Sequence, residues 1–298
     1  MRYPQFIVAG TARAGTTSLN SYLLQHPEIY LPVVKEPCFY TFAGEKIDYK
    51  NGKFAFALTS IEDYAKLYKK ALQSQITGDI STPYLYKHQK TIHNLKKFHD
   101  DYSSIKIIII LRNPTDRAYS QYLWRVRDGR EELTFEQAIA AEPQRMKENY
   151  SFDYFYVDRG MYFEQVKAYI ENFKSVKIVL FEDLKDRTSE TLASICDFLN
   201  VDNEFVFVKR TEQNASFLPK STLLNKLLTI ESKTKFKLLS RIPENVRTTI
   251  KEQFMRLNSS EKKNPEMSTL TREKLKNIYR EDLIKLEKLI ARDLSSWM

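Results

Sequence analysis

Apolar positions in this chain follow two rhythms. Short continuous runs, "QFIVA" (5–9) and "SIKIIIILRNP" (104–114), read as strands, and stretches apolar every third or fourth residue read as helices. The 104–114 run is the strongest strand signal: its middle is β-branched and Asn-Pro stops it. A strand apolar on both faces belongs inside a parallel sheet covered on both sides. "VKIVLFEDL" (176–184) reads as another central strand, "EIYLP" (28–32) as a short one, and "ITGDIS" (76–81) as a strand running into a loop. Helices are predicted over 17–25, 61–72, 91–100, 115–126 with Thr115 as N-cap, and 189–199. The chain from about 221 also reads as helical, closing with "TREKLKNIYREDLIKLEKLIARDL" (271–294). This alternation predicts an α/β fold, a central parallel sheet flanked by helices. No internal repeat or low-complexity linker divides the chain, so a single domain over 1–298 is expected, with a basic helical extension over about 221–298 packed on it.

Composition narrows the class. The 298 residues are 42% hydrophobic and 29% charged, enough to bury a full core. No apolar run approaches about 18 residues, and "MRYPQFIVAG" is too short an apolar run for a signal peptide, so a cytoplasmic protein is expected. Cys38 and Cys196 form no metal or disulfide pattern, and Cys196, at helical spacing with Leu192 and Leu199, is expected in the core. The net charge is +9, from 47 Lys+Arg and 38 Asp+Glu; 20 and 11 of these lie from Lys209 onward, so the preceding part balances at 27 each. A basic lobe favours an anionic ligand or partner, and peripheral contact with an anionic membrane surface is open to it, unless it is only a solvated helical surface. No nucleic-acid-binding motif accompanies it, so no nucleic-acid partner is expected. The four histidines, at 26, 88, 93 and 99, show no catalytic or metal spacing. The pattern leaves the oligomeric state open.

Chemistry concentrates in three loops. In "AGTARAGTTSL", the spacing from Gly10 to Gly15 is that of a nucleotide phosphate loop, but Thr16 stands where the lysine of the ATP-type loop would be. A glycine-bounded turn into a helix still offers backbone N–H groups and the positive end of the helix, and Thr16, Thr17 and Ser18 add hydroxyls. Such a loop holds a phosphate, and the missing lysine argues against a triphosphate–metal ligand. Arg13 projects from the loop toward whatever is bonded to that phosphate. In "LPVVKEPCFY" (31–40), Lys35 and Glu36 fall at a strand end, and Pro37 disfavours helical backbone at Glu36. Glu36 is suited to accept a proton from a substrate hydroxyl; the alternative is a surface Lys-Glu pair. In "LRNPTDRAYSQY" (111–122), Arg112 lies at the carboxyl end of the strongest strand, where open α/β sheets bind ligands. Ser120 follows in the next helix, three residues after Arg117, so an arginine and a hydroxyl make a second anion site. The alternative is an Arg112–Asp116 pair.

The combination of "GTARAGTTSL", "KEPCFY", "ILRNPTDRAYSQYLW", "RGMYFEQVKAYIENF" and "VLFEDL" resembles the sulfotransferases that use 3′-phosphoadenylyl sulfate (PAPS), and the ending "REDLIKLEKLIARDLSSW" resembles their bacterial carbohydrate-type members. The resemblance spans nearly the whole chain and implies a P-loop-like sulfotransferase fold. It implies that Ala12, Arg13, Ala14, Gly15, Thr16, Thr17 and Ser18 hold the 5′-phosphosulfate, and Arg112 and Ser120 the 3′-phosphate. In the implied reaction a sulfuryl group passes from PAPS to an acceptor hydroxyl of a carbohydrate or glycolipid, leaving adenosine 3′,5′-bisphosphate. Glu36 acts as base, Arg13 stabilises the leaving oxygen, and Lys35 contacts the sulfuryl oxygens; no metal is expected. "TGDISTPYLY" (77–86) resembles the acceptor-lining segment, with Asp79, Tyr84 and Tyr86 bonding or stacking on sugar. A loop at 208–221 resembles a nucleotide lid, with Lys209, Arg210, Asn214, Ser216 and Lys220 as donors. Two departures stand out: arginine at 13 where many relatives carry lysine, and Cys38 where glycosaminoglycan-type relatives often carry histidine. The competing readings are a P-loop kinase or NTPase, with Asp79 as a poor metal-binding acid, and a noncatalytic nucleotide- or polyanion-binding protein of the same fold.

Overall fold

The computed structural model describes residues 2–52, 54, 56–208 and 265–298. Five parallel strands, β1 (Phe6–Gly10), β2 (Ile29–Tyr30), β3 (Ile76–Ile80), β4 (Lys106–Leu111) and β5 (Val176–Leu180), form a sheet in the order β2-β3-β1-β4-β5. In register, Ile7 faces Asp79 on one side and Ile107 on the other. Successive residues of a strand point to opposite faces, and both faces are apolar here. Ile7, Ala9, Ile107, Ile109 and Leu111 enter one core; Phe6, Val8, Ile80, Ile108 and Ile110 enter a second. That is why residues 107–111 form an unbroken apolar run.

Helices cover both faces. The second core takes Leu19 and Leu23 of α1 (Thr16–Leu23). The first takes Phe39 and Tyr40 of α2 (Phe39–Phe42), Tyr64 of α3 (Ile61–Lys66), Tyr84 and Leu85 of α4 (Pro83–Tyr86), and Ile92 and Leu95 of α5 (His88–Phe98). It also takes Ala118 of α6 (Pro114–Arg127), Ala138 of α7 (Phe135–Lys147), and Val166 and Tyr169 of α8 (Phe163–Asn172). Leu184 of α9 (Phe181–Asp186) and Leu192, Ile195 and Leu199 of α10 (Thr188–Leu199) return to the second core, and Cys196 is buried there as expected. The described part of the basic tail, α11 (Thr269–Ile290), sends Leu275, Tyr279, Leu283 and Leu286 into the first core. Its Asp282 accepts hydrogen bonds from the N–H groups of Tyr162 (2.8 Å) and Phe163 (3.2 Å), at the start of α8.

Several predicted boundaries move. Residues 176–184 are not one central strand: β5 lies at the edge of the described sheet and stops at Leu180, opposite the last residue of β4. With no ladder partner beyond that point, Phe181–Asp186 turns helical and packs Phe181 and Leu184 beneath Gly15. The N-cap of α6 is Asn113, not Thr115; its Oδ1 accepts from the N–H groups of Thr115 (3.0 Å) and Asp116 (3.4 Å). Pro114 explains the shift, since it has no N–H to cap and its ring presets the first helical φ. The helix expected over 61–72 ends at Lys66. The sequence reading passed over α7, although Thr134 and Gln137 form a capping box before it.

Candidate active site

After β1 the chain leaves toward β2, and after β4 toward β5, on opposite sides of the sheet. Between two such strands a crevice opens at the carboxyl ends, and ligands of open α/β sheets bind there. The turns after β1, β2, β3 and β4 carry residues 10–18, 31–38, 81–86 and 112–120, and polar contacts link all four.

The first turn is tied to the sheet by the N–H of Thr11, which donates to the Ile110 carbonyl (2.7 Å), and is tightened by Ala14 N–H on the Thr11 carbonyl (3.3 Å). Gly15 has φ 85°, and a Cβ there would lie 3.3 Å from Leu184 and Phe181, so glycine is required on two counts. It is the N-cap of α1, which has no side-chain cap and no acid in its first turn. The helix end therefore keeps its partial positive charge. Ala14 and Thr16 are buried, Ala12 and Thr17 partly buried, and Ser18 exposed.

Arg13 leaves this turn from a left-handed backbone, φ 72°. Its Nε donates to Ser120 Oγ (3.1 Å), and its carbonyl accepts from Arg112 Nη1 (2.9 Å). Arg13 thus joins the two predicted anion sites directly. Its guanidinium lies 5.9 Å from the Trp124 ring, and Arg112 lies 4.7 Å from the Phe181 ring. Among the described residues no carboxylate is within ion-pair distance of either. Asp116 pairs with Arg272 instead (2.8 Å), which removes the Arg112–Asp116 alternative. Burial, with Arg127 and Arg112 nearby, lowers the Arg13 pKa to about 10; burial lowers that of Arg112 as well. Arg117 does not share the site face with Ser120: it is fully buried and donates to the Tyr156 carbonyl.

Lys35 and Glu36 are not an isolated surface pair. Lys35 Nζ donates to Thr17 Oγ1 (2.9 Å) and to Glu36 Oε1 (3.1 Å), and Thr82 Oγ1 donates to Glu36 Oε2 (3.0 Å). Glu36 keeps about 24% of its side chain exposed, so its carboxylate is both held and reachable. Thr82 was missed from sequence, although it lies in the segment read as acceptor-lining, at the carboxyl end of β3.

The predicted acceptor residues divide. Asp79 and Tyr84 are fully buried, and their polar groups bond one another: Asp79 accepts from Tyr64, Tyr84 and Ser81, each at 2.7 Å. They stand behind the crevice and do not face a sugar. Tyr86 is partly exposed, beside Phe152 (5.7 Å between rings), with its hydroxyl donated to Asp158. Lys220 and the other lid donors, Lys209, Arg210, Asn214 and Ser216, lie outside the described residues.

A doubly covered parallel sheet with a cationic, phosphate-loop-like turn facing a held carboxylate at its switch point defines the class: an open α/β fold with its polar crevice at the carboxyl ends of the strands. Residues 3–287 match the family model described as "Sulfotransferase domain", and the chain belongs to that family. Its fold matches the crystal structure of a sulfotransferase from Alicyclobacillus acidocaldarius with TM-score 0.74, at 29% identity over 100% of this chain and 99% of that one. Curated relatives include "Membrane-associated sulfotransferase kil1" of Dictyostelium discoideum, 34% identical over 40% of this chain and 22% of that protein. "Bifunctional heparan sulfate N-deacetylase/N-sulfotransferase 1" of Xenopus laevis is 24% identical over 100% of this chain and 31% of that protein. "Heparan sulfate glucosamine 3-O-sulfotransferase 6" of Homo sapiens is 26% identical over 41% of this chain and 30% of that protein. The matches thus span less than a third of the length of each of these curated relatives. Among the described residues no helix is long and apolar enough to cross a membrane.

Proposed function

We propose that this sulfotransferase uses PAPS as donor and sulfates a hydroxyl of a carbohydrate or of the sugar of a glycolipid. The observation that carries this reading is the Arg13 junction: one residue reaches Ser120 with its side chain and Arg112 with its carbonyl. Two oxyanion sites so joined suit a ribose phosphorylated at both ends. The crevice residues fit such a donor, because an uncapped helix end and two partly buried guanidiniums with no carboxylate partner among the described residues are completed by anions. Residues 12–18 would hold its 5′ side, and Arg112 and Ser120 its 3′-phosphate. When bound, the donor supplies a sulfuryl group on a phosphate leaving group.

The chain's own residues do the rest. Glu36, oriented by Lys35 and Thr82, takes the acceptor's hydroxyl proton. Arg13 and the N–H groups starting α1 meet negative charge at the leaving oxygen. With a pKa of about 10, Arg13 stays charged at neutral pH and acts as an electrostatic group. Lys35, bonded to Thr17 and Glu36, stands between the phosphate turn and the base, where it can contact the oxygens in transfer. A carbohydrate acceptor draws support from the names of the human and Xenopus relatives and from Tyr86 beside Phe152, an aromatic pair on which a sugar ring can stack. The test is calorimetric titration with adenosine 3′,5′-bisphosphate without metal, followed by labelled PAPS with glucosamine-containing oligosaccharides. Binding and transfer are expected; no binding at millimolar nucleotide would overturn the donor assignment.

A further inference from the structure

Asp79 is the best-satisfied carboxylate near the site, yet it lies on the core side of β3. Its register partner Ile7 fixes that side. Its Oδ1 accepts a hydrogen bond from Ser81 Oγ, and its Oδ2 accepts from the hydroxyls of Tyr64 and Tyr84. Among the described residues no cation is paired with it. Each of two hydroxyls so oriented turns a lone pair toward a backbone N–H: Cys38 N–H donates to Ser81 Oγ (3.1 Å) and Tyr40 N–H to Tyr84 Oη (3.4 Å). Those amides lie two and four residues after Glu36. The chain between needs holding, because Glu36 and Cys38 both have left-handed backbones, φ 58° and 53°. L-residues keep such angles only where their surroundings impose them.

We propose that Asp79 is a positioning residue for Glu36: through Ser81 and Tyr84 it locks the turn that presents the base. The proposal rests on the reading of Glu36 as base. The titratable groups facing the pair are Lys35, beside Glu36, and Cys38, Tyr40, Tyr64, Tyr68 and Tyr84, around Asp79. Burial pushes the Asp79 carboxyl up, while the bonds from Ser81, Tyr64 and Tyr84 work in the opposite direction and favour its ionised form. The asparagine isostere would keep the volume, lose the charge, and present one amide donor to hydroxyls already committed as donors.

Three variants separate the outcomes: Asp79→Asn, Ser81→Ala and Glu36→Gln. Each is titrated with adenosine 3′,5′-bisphosphate to count folded sites. Turnover of labelled PAPS is followed with water and with an N-acetylglucosamine oligosaccharide as acceptors. Deuterium exchange of the Cys38 and Tyr40 amides is followed by NMR. Asp79→Asn and Ser81→Ala are expected to bind nucleotide as wild type does. Both should lose kcat per folded site by roughly 10- to 100-fold, the scale of a misplaced catalytic group, with KM little changed. A folded Asp79→Asn with wild-type kcat overturns the proposal, as does a loss that only tracks the folded fraction. If Asp79→Asn does not fold, Ser81→Ala decides by the same kcat criterion. If no turnover is measurable, amide exchange decides: Cys38 and Tyr40 amides as protected in both Asp79→Asn and Ser81→Ala as in wild type overturn the proposal, and faster exchange there supports it. An active Glu36→Gln instead rejects the base itself, a separate failure.

Discussion

Replacing Arg112 by alanine should separate nucleotide affinity from fold stability, moving the two in opposite directions. The guanidinium donates to the Arg13 carbonyl at 2.9 Å and stacks 4.7 Å from the Phe181 ring. It is partly buried with no carboxylate partner among the described residues, and burial lowers its pKa, so in the free protein its charge is a burden. With a 3′-phosphate bound, the same charge makes a charge-assisted hydrogen bond worth ~1.5–3 kcal/mol. At 1.4 kcal/mol per decade, that is a loss of roughly 10- to 150-fold in affinity for adenosine 3′,5′-bisphosphate. Slackening of the Arg13 turn adds to it. The assay is calorimetric titration of wild type, Arg112→Ala and Arg112→Lys, with melting of each free protein alongside. The lysine variant keeps the charge but not the planar fork or the stack, and should fall between the other two. The free alanine variant should melt no lower than wild type. Unchanged affinity, or weakened affinity explained by partial unfolding, would refute the assignment of Arg112 to the nucleotide.

Glu36→Gln should bind adenosine 3′,5′-bisphosphate normally while turnover drops by about 10²- to 10⁴-fold, the usual span for a lost general base; full activity would remove Glu36 from the chemistry. Gly15→Ala should lower both the melting temperature and nucleotide affinity, since φ 85° costs an L-residue ~1–2 kcal/mol and the new methyl meets Leu184 and Phe181 at 3.3 Å; unchanged melting would contradict that strain. The lowered pKa of Arg13, about 10, sets a pH dependence: nucleotide affinity should stay level from neutral pH until Arg13 begins to lose its proton, then weaken through pH 10, because the anion binds the charged form. Calorimetry across that range checks it, and flat affinity past pH 10 in folded protein would show that Arg13 is not in contact with the anion.

Much of the architecture was legible because its physical cause is local. The run at 106–111 is apolar at every step from Ile107 since odd and even positions enter different cores, and no arrangement but a doubly covered strand requires that. Features that depended on a neighbour were not legible. The end of β5 is set by the end of β4. The helix at 61–66 stops before apolar positions that continue its rhythm, because Tyr68 is drawn to the Gly78 carbonyl (3.3 Å) and Leu72 is left exposed. At the site, glycine spacing and strand ends located Arg13, Glu36, Arg112 and Ser120 at one sheet edge. Their hydrogen-bond partners came only with tertiary structure: Thr82 for Glu36, and Thr17 for Lys35. Asp79 was misread for a reason of parity. A polar residue at a strand end reads alike whether it faces the crevice or the core, and only the pairing with Ile7 tells which.

The missing loop lysine follows from the same packing. Thr16, at the lysine position, is 4% exposed under the turn, so a long cation there would have to leave a buried start. The cation comes instead from Arg13, whose left-handed backbone turns it away from the helix and toward α6, where Ser120 receives it. That geometry places the charge between the two proposed anion sites, where one guanidinium can serve both. The cost is visible in Arg13's depressed pKa, caused by burial and by Arg127 and Arg112. On the proposed reading, a crevice that crowds its cations in this way is completed by a ligand bringing negative charge to both sides of Arg13. A mononucleotide with a single terminal phosphate would satisfy half of it, so removing the 3′-phosphate from the ligand should weaken binding about as much as removing Arg112 from the protein.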